Sequence, residues 1–134
     1  MATTAQEPDL WPDKLNLTEE ETPLSILKAQ AEALSDRTRH AVSGWVETIV
    51  RGHVRYQHEF SILAPVLGTQ AKVPILQLSH PLLDLLPVRC DLLFQNPETF
   101  QAQTMQELKE WLRTQLASER TMKIVANLYA QARS

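Results

Sequence analysis

The residues of this chain best suited to chemistry are a tyrosine, a histidine and a cysteine that alternate with apolar residues. Tyr56 and His58 share one side of the stretch VRYQHEFSILAP, residues 54–65, and an imidazole there can serve as a general base or a ligand. Cys90 lies on the apolar side of a later stretch, and a thiol becomes a nucleophile when a neighbouring base lowers its pKa. Tyr56, His58 and Cys90 are therefore the candidate ligand-binding residues.

Packing explains the same residues more simply. A histidine on the inward side of a strand is usually satisfied by one or two hydrogen bonds, and a buried cysteine behaves as a small apolar side chain. No local motif joins Cys90 to a histidine, His80 precedes Pro81 in a predicted loop, and the histidine spacing does not fit a metal site. The sequence predicts no catalytic residue, no metal and no cofactor.

Strands must position these side chains, because the hydrophobic period in the middle of the chain is two. Pro74 cannot donate a ladder hydrogen bond, which predicts that the third strand lies at an edge or starts with a bulge. The four predicted strands cover residues 42–50, 54–62, 73–79 and 86–94.

Helices are predicted on both sides of the strands. Thr22-Pro23 is a typical helix start and opens an amphipathic segment of about 14 residues. Thr104 and Glu107 form a capping-box pattern before a second helix, and a short break near residues 117–119 precedes a third. This order predicts a two-layer α+β domain over residues 22–134, with a mainly antiparallel sheet.

The register of the first hairpin decides what His58 faces. A two-residue turn at Gly52-His53 places Glu47 opposite His58, whereas a three-residue loop, Arg51-Gly52-His53, places Val46 there. The odd loop places the large apolar side chains on one face. Their burial stabilises the fold by more than one cross-strand charge pair does. We therefore predict the odd loop, with the even one as the alternative.

Two surfaces are candidates for binding a partner. In the odd register, Trp45 and Ile49 lie on the polar side of the first strand, where aromatic and aliphatic side chains ringed by charge are typical of interfaces. Residues 1–21 are predicted to be a flexible, acidic arm whose Leu10 and Trp11 could dock on a partner or on the chain's own domain.

Four segments carry a resemblance to known proteins. The chain resembles a scattered group of small bacterial proteins of unassigned function, although Leu86 stands where that group commonly has a tyrosine. The resemblance implies a fold over roughly residues 22–133 and no activity, cofactor or catalytic residue. The matching segments are TPLSILKAQAEAL (22–34), FSILAPVL (60–67), LLPVRC (85–90) and SERTMKIVANLYAQAR (118–133).

Composition narrows the classes of function. Thirteen Lys and Arg against sixteen Asp and Glu give a net charge of −3, which argues against unaided binding to nucleic acid. No segment has the length of a membrane span and no signal peptide is recognised, so a soluble, cytoplasmic protein is expected.

We predict a non-enzymatic protein-interaction module, an adaptor or assembly factor that binds a protein partner or its own copy. The alternative is a small-ligand-binding protein or enzyme with a pocket near His58 and Cys90.

Overall fold

The structure is a computed structural model, and it describes residues 8–15, 17, 20–52, 54–94 and 99–134. The strands form one antiparallel sheet in the order β1-β2-β3-β4-β5. The predicted α+β class is confirmed. The elements in chain order are α1 (Pro23–Arg37), β1 (Ser43–Arg51), β2 (Arg55–Leu63), β3 (Val73–Pro81), β4 (Val88–Leu92), β5 (Phe100–Ala102), α2 (Met105–Leu116) and α3 (Glu119–Ala132).

The helix starts follow from local capping chemistry. The hydroxyl of Thr22 accepts from the backbone N–H of Ser25, and Pro23 opens α1. The predicted capping box of α2 is confirmed, because Thr104 accepts from the N–H of Glu107 while the Glu107 carboxylate accepts from the N–H of Thr104. These reciprocal bonds satisfy N–H groups that the first turn would otherwise leave unpaired.

Over the described residues the sheet has five strands, where four were predicted. The additional strand, β5, is only three residues long and pairs with β4 through Val88↔Ala102 and Cys90↔Phe100. Three residues are too few to show a period of two, so sequence alternation could not reveal β5. Because β5 pairs with β4, β5 is one edge strand of the sheet and β1 is the edge strand on the opposite side.

Pro74 lies in an interior strand, so the prediction of an edge position is wrong and that of a bulge is confirmed. Opposite β2, Phe60 pairs with Leu76 and Ser61 pairs with Pro74, so Ile75 is the extra residue. The bulge interrupts the ladder where Pro74 has no N–H to donate.

The first hairpin has the odd loop that the sequence predicts, but its position differs. The loop runs over residues 52–54, and β1 continues through Arg51, which pairs with Arg55. Gly52 has φ +62, the left-handed conformation that favours glycine. Because the loop starts one residue later than predicted, the pairing of β1 with β2 shifts by two residues. Thr48 therefore lies opposite His58, and the predicted partner, Val46, is wrong. His53 lies outside the described residues.

The core lies between the sheet and the helices. Helix α1 crosses β1 closely, because a Cβ on Gly44 would lie 2.6 Å from Cα of Ala31 and 2.8 Å from the Phe60 ring. Phe60, Leu76 and Leu108 are fully buried in the same apolar cluster. Among the described helices, none has the length and apolar character needed to cross a bilayer.

Candidate functional site

A buried pair of histidines lies on the inner face of the sheet. His58 is 2% exposed and His80 is 4% exposed, and their Nε2 atoms lie 2.9 Å apart. His58 Nδ1 lies 2.9 Å from Oγ1 of Thr48, its neighbour on β1. His80 Nδ1 lies 2.9 Å from the carbonyl oxygen of Pro81 and 3.2 Å from that of Asp84.

The proton positions of this pair follow from its neighbours. Carbonyl oxygens only accept hydrogen bonds, so Nδ1 of His80 carries a proton and its Nε2, in the neutral ring, accepts. His58 must then donate from Nε2, which leaves its Nδ1 to accept from the Thr48 hydroxyl. One directed chain of hydrogen bonds, from Thr48 to His58 to His80 to the carbonyls, gives each of these polar atoms a partner.

Burial keeps His58 neutral. Desolvation is the largest cause that lowers the pKa of His58 to about 4, and electrostatic repulsion from His80 and Lys28 contributes to the same shift. Tyr56 packs against both imidazoles, with ring centroids 6.0 Å from His58 and 5.7 Å from His80. A neutral, sealed imidazole is suited to holding strands together, and it has no direct route to a substrate.

His80 was predicted to lie in a loop, and that prediction is wrong. Strand β3 runs through Pro81, and Leu76, Leu78 and His80 share its inner side. The sequence pattern could have revealed this position, because the alternation of VPILQLS (73–79) continues to His80 after Ser79. Sequence reasoning therefore found Tyr56 and His58 but missed the third member of the cluster.

Cys90 lies apart from the histidines. The cross-strand partners run from His58 to Leu78 to Cys90, so the leucine separates the imidazole from the thiol. Burial, and then the charge of Asp91, raises the pKa of the Cys90 thiol to about 12. A thiol with a raised pKa is a poor nucleophile at neutral pH. Within the described part of the chain, no group of three or more histidine, cysteine or acidic side chains could hold a metal ion.

The open edge of the sheet is formed by β1, and two large apolar side chains on its outer face are partly exposed. Trp45 is 39% exposed and Ile49 is 41% exposed. Trp45 Nε1 donates to Glu47 Oε1 at 2.9 Å, and Lys72 both pairs with that oxygen and lies 5.2 Å from the Trp45 ring centroid. The hydrogen bond from Lys72, followed by that from Trp45, lowers the pKa of Glu47.

The two edges of the sheet differ in how they are protected. Strand β5 is three residues long, and short edge strands offer little backbone for pairing. Strand β1 has nine residues in unbroken register with β2 and contains no proline, no lysine and no bulge. Proteins commonly use those devices to prevent strands from pairing at an edge. Among the described residues, no strand other than β2 pairs with β1, and the positions from Glu47 to Arg51 are exposed, so this half of the strand is open to a further strand.

Grooves flank both faces of the described sheet, and Tyr56, His58 and Cys90 line neither of the two larger ones discussed next. A groove of about 650 Å³ on the outer face is lined by polar side chains that include Arg51 and Arg55. A groove of about 770 Å³ lies between α1 and the pair α2–α3. It has an apolar floor, and charged side chains stand at its rim. The floor and rim include Phe60, Ile62, Leu112, Arg37, Lys109 and Arg113.

The described part of the N-terminal arm carries exposed apolar side chains. Leu10 and Trp11 are largely exposed, with Trp11 at 73%, so Trp11 does not tuck against the chain's own domain. The end of the arm is held by an ion pair of 2.6 Å between Glu21 and Lys109 of α2. Leu10 and Trp11 as partner-binding residues stay a prediction.

Comparison with known proteins assigns no role to these residues. No protein-family model matches the chain, nor does any curated protein or any solved structure. The resemblance to small bacterial proteins stays a prediction. Function is therefore argued from the geometry of the edge, the histidine pair and the grooves.

Proposed function

We propose that this chain is a non-enzymatic protein-interaction module, an adaptor or assembly factor, that accepts an extended segment of a protein along strand β1. In such strand addition, the free backbone groups of an edge strand supply the affinity, and alternate side chains supply the specificity. The observation that carries the proposal is the edge strand β1, which has nine residues and pairs with β2 alone among the described strands, whereas the opposite edge strand, β5, has three residues. A long open edge is a liability unless a partner covers it.

The side chains of β1 support the same proposal. Trp45 and Ile49 lie two pleats apart on the outer face, with the charged Glu47 between them and Arg51 beyond. Tryptophan and arginine are enriched among the residues that dominate binding energy. Trp45 and Ile49 are therefore the proposed partner-binding residues of this edge.

Site-specific photo-crosslinking tests this proposal. A photoreactive phenylalanine analogue is placed at Ile49 on the edge, or at Gln57, which lies directly opposite on β2 and one strand further in. We expect cross-links to a protein chain from position 49 in the source cell, and few from position 57. Equal yields from both positions, or none from position 49, would overturn strand addition at β1.

A second candidate function rests on the groove between α1 and the pair α2–α3. The groove has an apolar floor, and its rim carries Arg37 and Arg113 besides the ion pair of Lys109 with Glu21, so it suits a ligand with an apolar body and an acidic head. A fluorescent fatty acid is a direct probe. Ala33→Trp should fill the groove and reduce binding of the probe at least ten-fold, whereas Ala126→Trp, on an exposed position of α3 outside the groove, should not. Equal binding by both variants would reject this function.

We also propose a cytoplasmic location. The support is the single, buried free thiol of Cys90, which fits a reducing compartment. Fractionation of the source cell, with the chain detected by an antibody, checks this proposal. Recovery with secreted proteins would contradict it.

A further inference from the structure

We propose that the segment added to β1 is β1 of a second copy of this chain, paired antiparallel about a two-fold axis that passes through Ile49. The inference rests on the proposed function, because it names the partner of the same edge. A two-fold axis perpendicular to the sheet makes the interface self-complementary, so each side chain of β1 has a defined partner. The two five-stranded sheets then continue across the axis as one.

The sequence of β1 fits this axis. With Ile49 on the axis, Ile49 faces its own copy, and Glu47 of each chain faces Arg51 of the other. Opposite charges on directly facing residues stabilise a strand pair, and symmetry supplies this pairing twice. The two ion pairs therefore flank a central apolar contact on the outer face.

Neighbouring axes fit less well. An axis at Glu47 places the two glutamates opposite each other, and like charges on facing residues destabilise a strand pair. An axis at Val50 places Arg51 opposite Ile49 and leaves both charges of β1 without an opposite partner. An axis at Thr48 places Glu47 opposite Ile49. Among these four axes, only the one at Ile49 pairs both charged side chains of the edge.

Arg51 supplies an independent reason for a second copy. Its cross-strand partner is Arg55, a like charge directly opposite, and its side chain donates only to Gln57 at 3.2 Å among the described contacts. The ion pairs of the described residues involve Lys72, Arg89 and Lys109 as the cations, and not Arg51. A carboxylate from outside the chain would relieve this repulsion.

Glu47 has the capacity to supply that carboxylate. Within the described part of the chain, the hydrogen bonds that reach Glu47, from Trp45 and Lys72, both end on Oε1. Oε2 is therefore available to Arg51 of the second copy. Because the Glu47 pKa is lowered, the carboxylate is charged at neutral pH.

Charge reversal and sedimentation analysis test the pairing. The full chain is measured from low micromolar to near-millimolar concentration, because a single strand pair is a small interface and weak association is expected. Glu47→Arg or Arg51→Glu alone should weaken self-association about ten-fold or more, and the double variant should restore it. Arg113→Glu makes the same charge change at an exposed position of α2, away from the edge strand, and is the control.

Disulfide trapping tests which residue of β1 lies on the two-fold axis. With Ile49 on the axis, Ile49→Cys should form an intermolecular disulfide under mild oxidation, because facing residues have the Cβ separation that a disulfide needs. Glu47→Cys and Val50→Cys should cross-link slowly. A faster disulfide at position 47 or 50 would overturn the proposed axis.

The outcomes separate this inference from the proposed function. A chain that stays monomeric to near-millimolar concentration overturns self-pairing. If photo-crosslinking from position 49 then reaches a different protein, strand addition at β1 stands and only the second copy is wrong. If position 49 reaches no protein, both proposals fail. Loss of association in the Arg113→Glu control to the same extent as in Arg51→Glu would also overturn the pairing.

Discussion

His58 and His80 share a hydrogen bond between their Nε2 atoms, 2.9 Å apart, on neighbouring strands β2 and β3. The bond is diagonal, because His58 lies opposite Leu78 while Tyr56 lies opposite His80. It fixes the proton positions of both rings and connects Thr48 on β1 to backbone carbonyls at the end of β3. The pair therefore ties three strands together through side chains as well as through the backbone ladder.

Replacing one histidine should lower the free energy of unfolding by more than half of the loss that replacing both causes. His80→Phe leaves the Nε2–H of His58 buried without its acceptor, and we expect a loss of about 1 to 3 kcal/mol in the free energy of unfolding. His58→Phe should cost a similar amount. The double variant should cost clearly less than the sum, because two apolar rings leave no buried donor between them.

Urea unfolding of the two single variants and the double variant measures this coupling. His40→Phe, at an exposed position near the end of α1, is the control for the loss of a histidine. Strictly additive losses would show that the two imidazoles do not depend on each other.

Acid should destabilise the protein through His58. Its pKa is lowered from 6.5 to about 4 in the folded chain, so the unfolded chain takes up a proton that the folded chain does not. The contribution of His58 to stability is complete above pH 6.5 and is lost as the pH falls towards 4. The shift corresponds to roughly 3 kcal/mol.

The measurement is the unfolding free energy at several pH values for the native chain and for His58→Gln. The stability difference between the two should become less favourable to the native chain as the pH falls from 7 to 4. A difference that stays constant over this range would refute a neutral His58 in the folded state.

The Cys90 thiol should be inert in the folded protein. It is fully buried and its pKa is raised to about 12, so little thiolate forms at neutral pH. We expect alkylation of Cys90 by iodoacetamide only at the rate of unfolding. Gln101→Cys, on an exposed position of β5, provides a second thiol that should react quickly in the same sample. Equal rates at the two positions would contradict the burial of Cys90.

Gly44 should tolerate no side chain. A Cβ there would lie 2.6 Å from the backbone of Ala31 and 2.8 Å from the Phe60 ring, so α1 or Phe60 would have to move. We expect Gly44→Ala to lower the free energy of unfolding by about 1 to 3 kcal/mol or more. Ser43→Ala, at the adjacent position of β1, is the matched control. Thermal unfolding of both variants measures the effect, and equal stability would show that α1 is not packed against β1 at this point.

Local patterns predicted the elements well, because their causes lie within a few residues. The capping residues Thr22 and Thr104 determine where α1 and α2 begin, through bonds that span three residues. The odd length of the first hairpin loop was also predicted from sequence, since it buries more large apolar side chains on one face than the even loop does. That odd length placed Trp45 and Ile49 on the outer face of β1, as the structure has them.

Sequence alone could not determine the partners across the sheet. The contact of His58 with His80 depends on which strand lies beside β2 and on a bulge at Ile75, and neither is visible within either strand. β5 was missed because three residues show no period. Thr48, and not the predicted Val46, lies opposite His58 because the loop begins one residue later than predicted. Alternation is a local property of the chain and determined which face each side chain occupies. Pairing is a relation between distant segments, so only the tertiary structure decided which side chains meet.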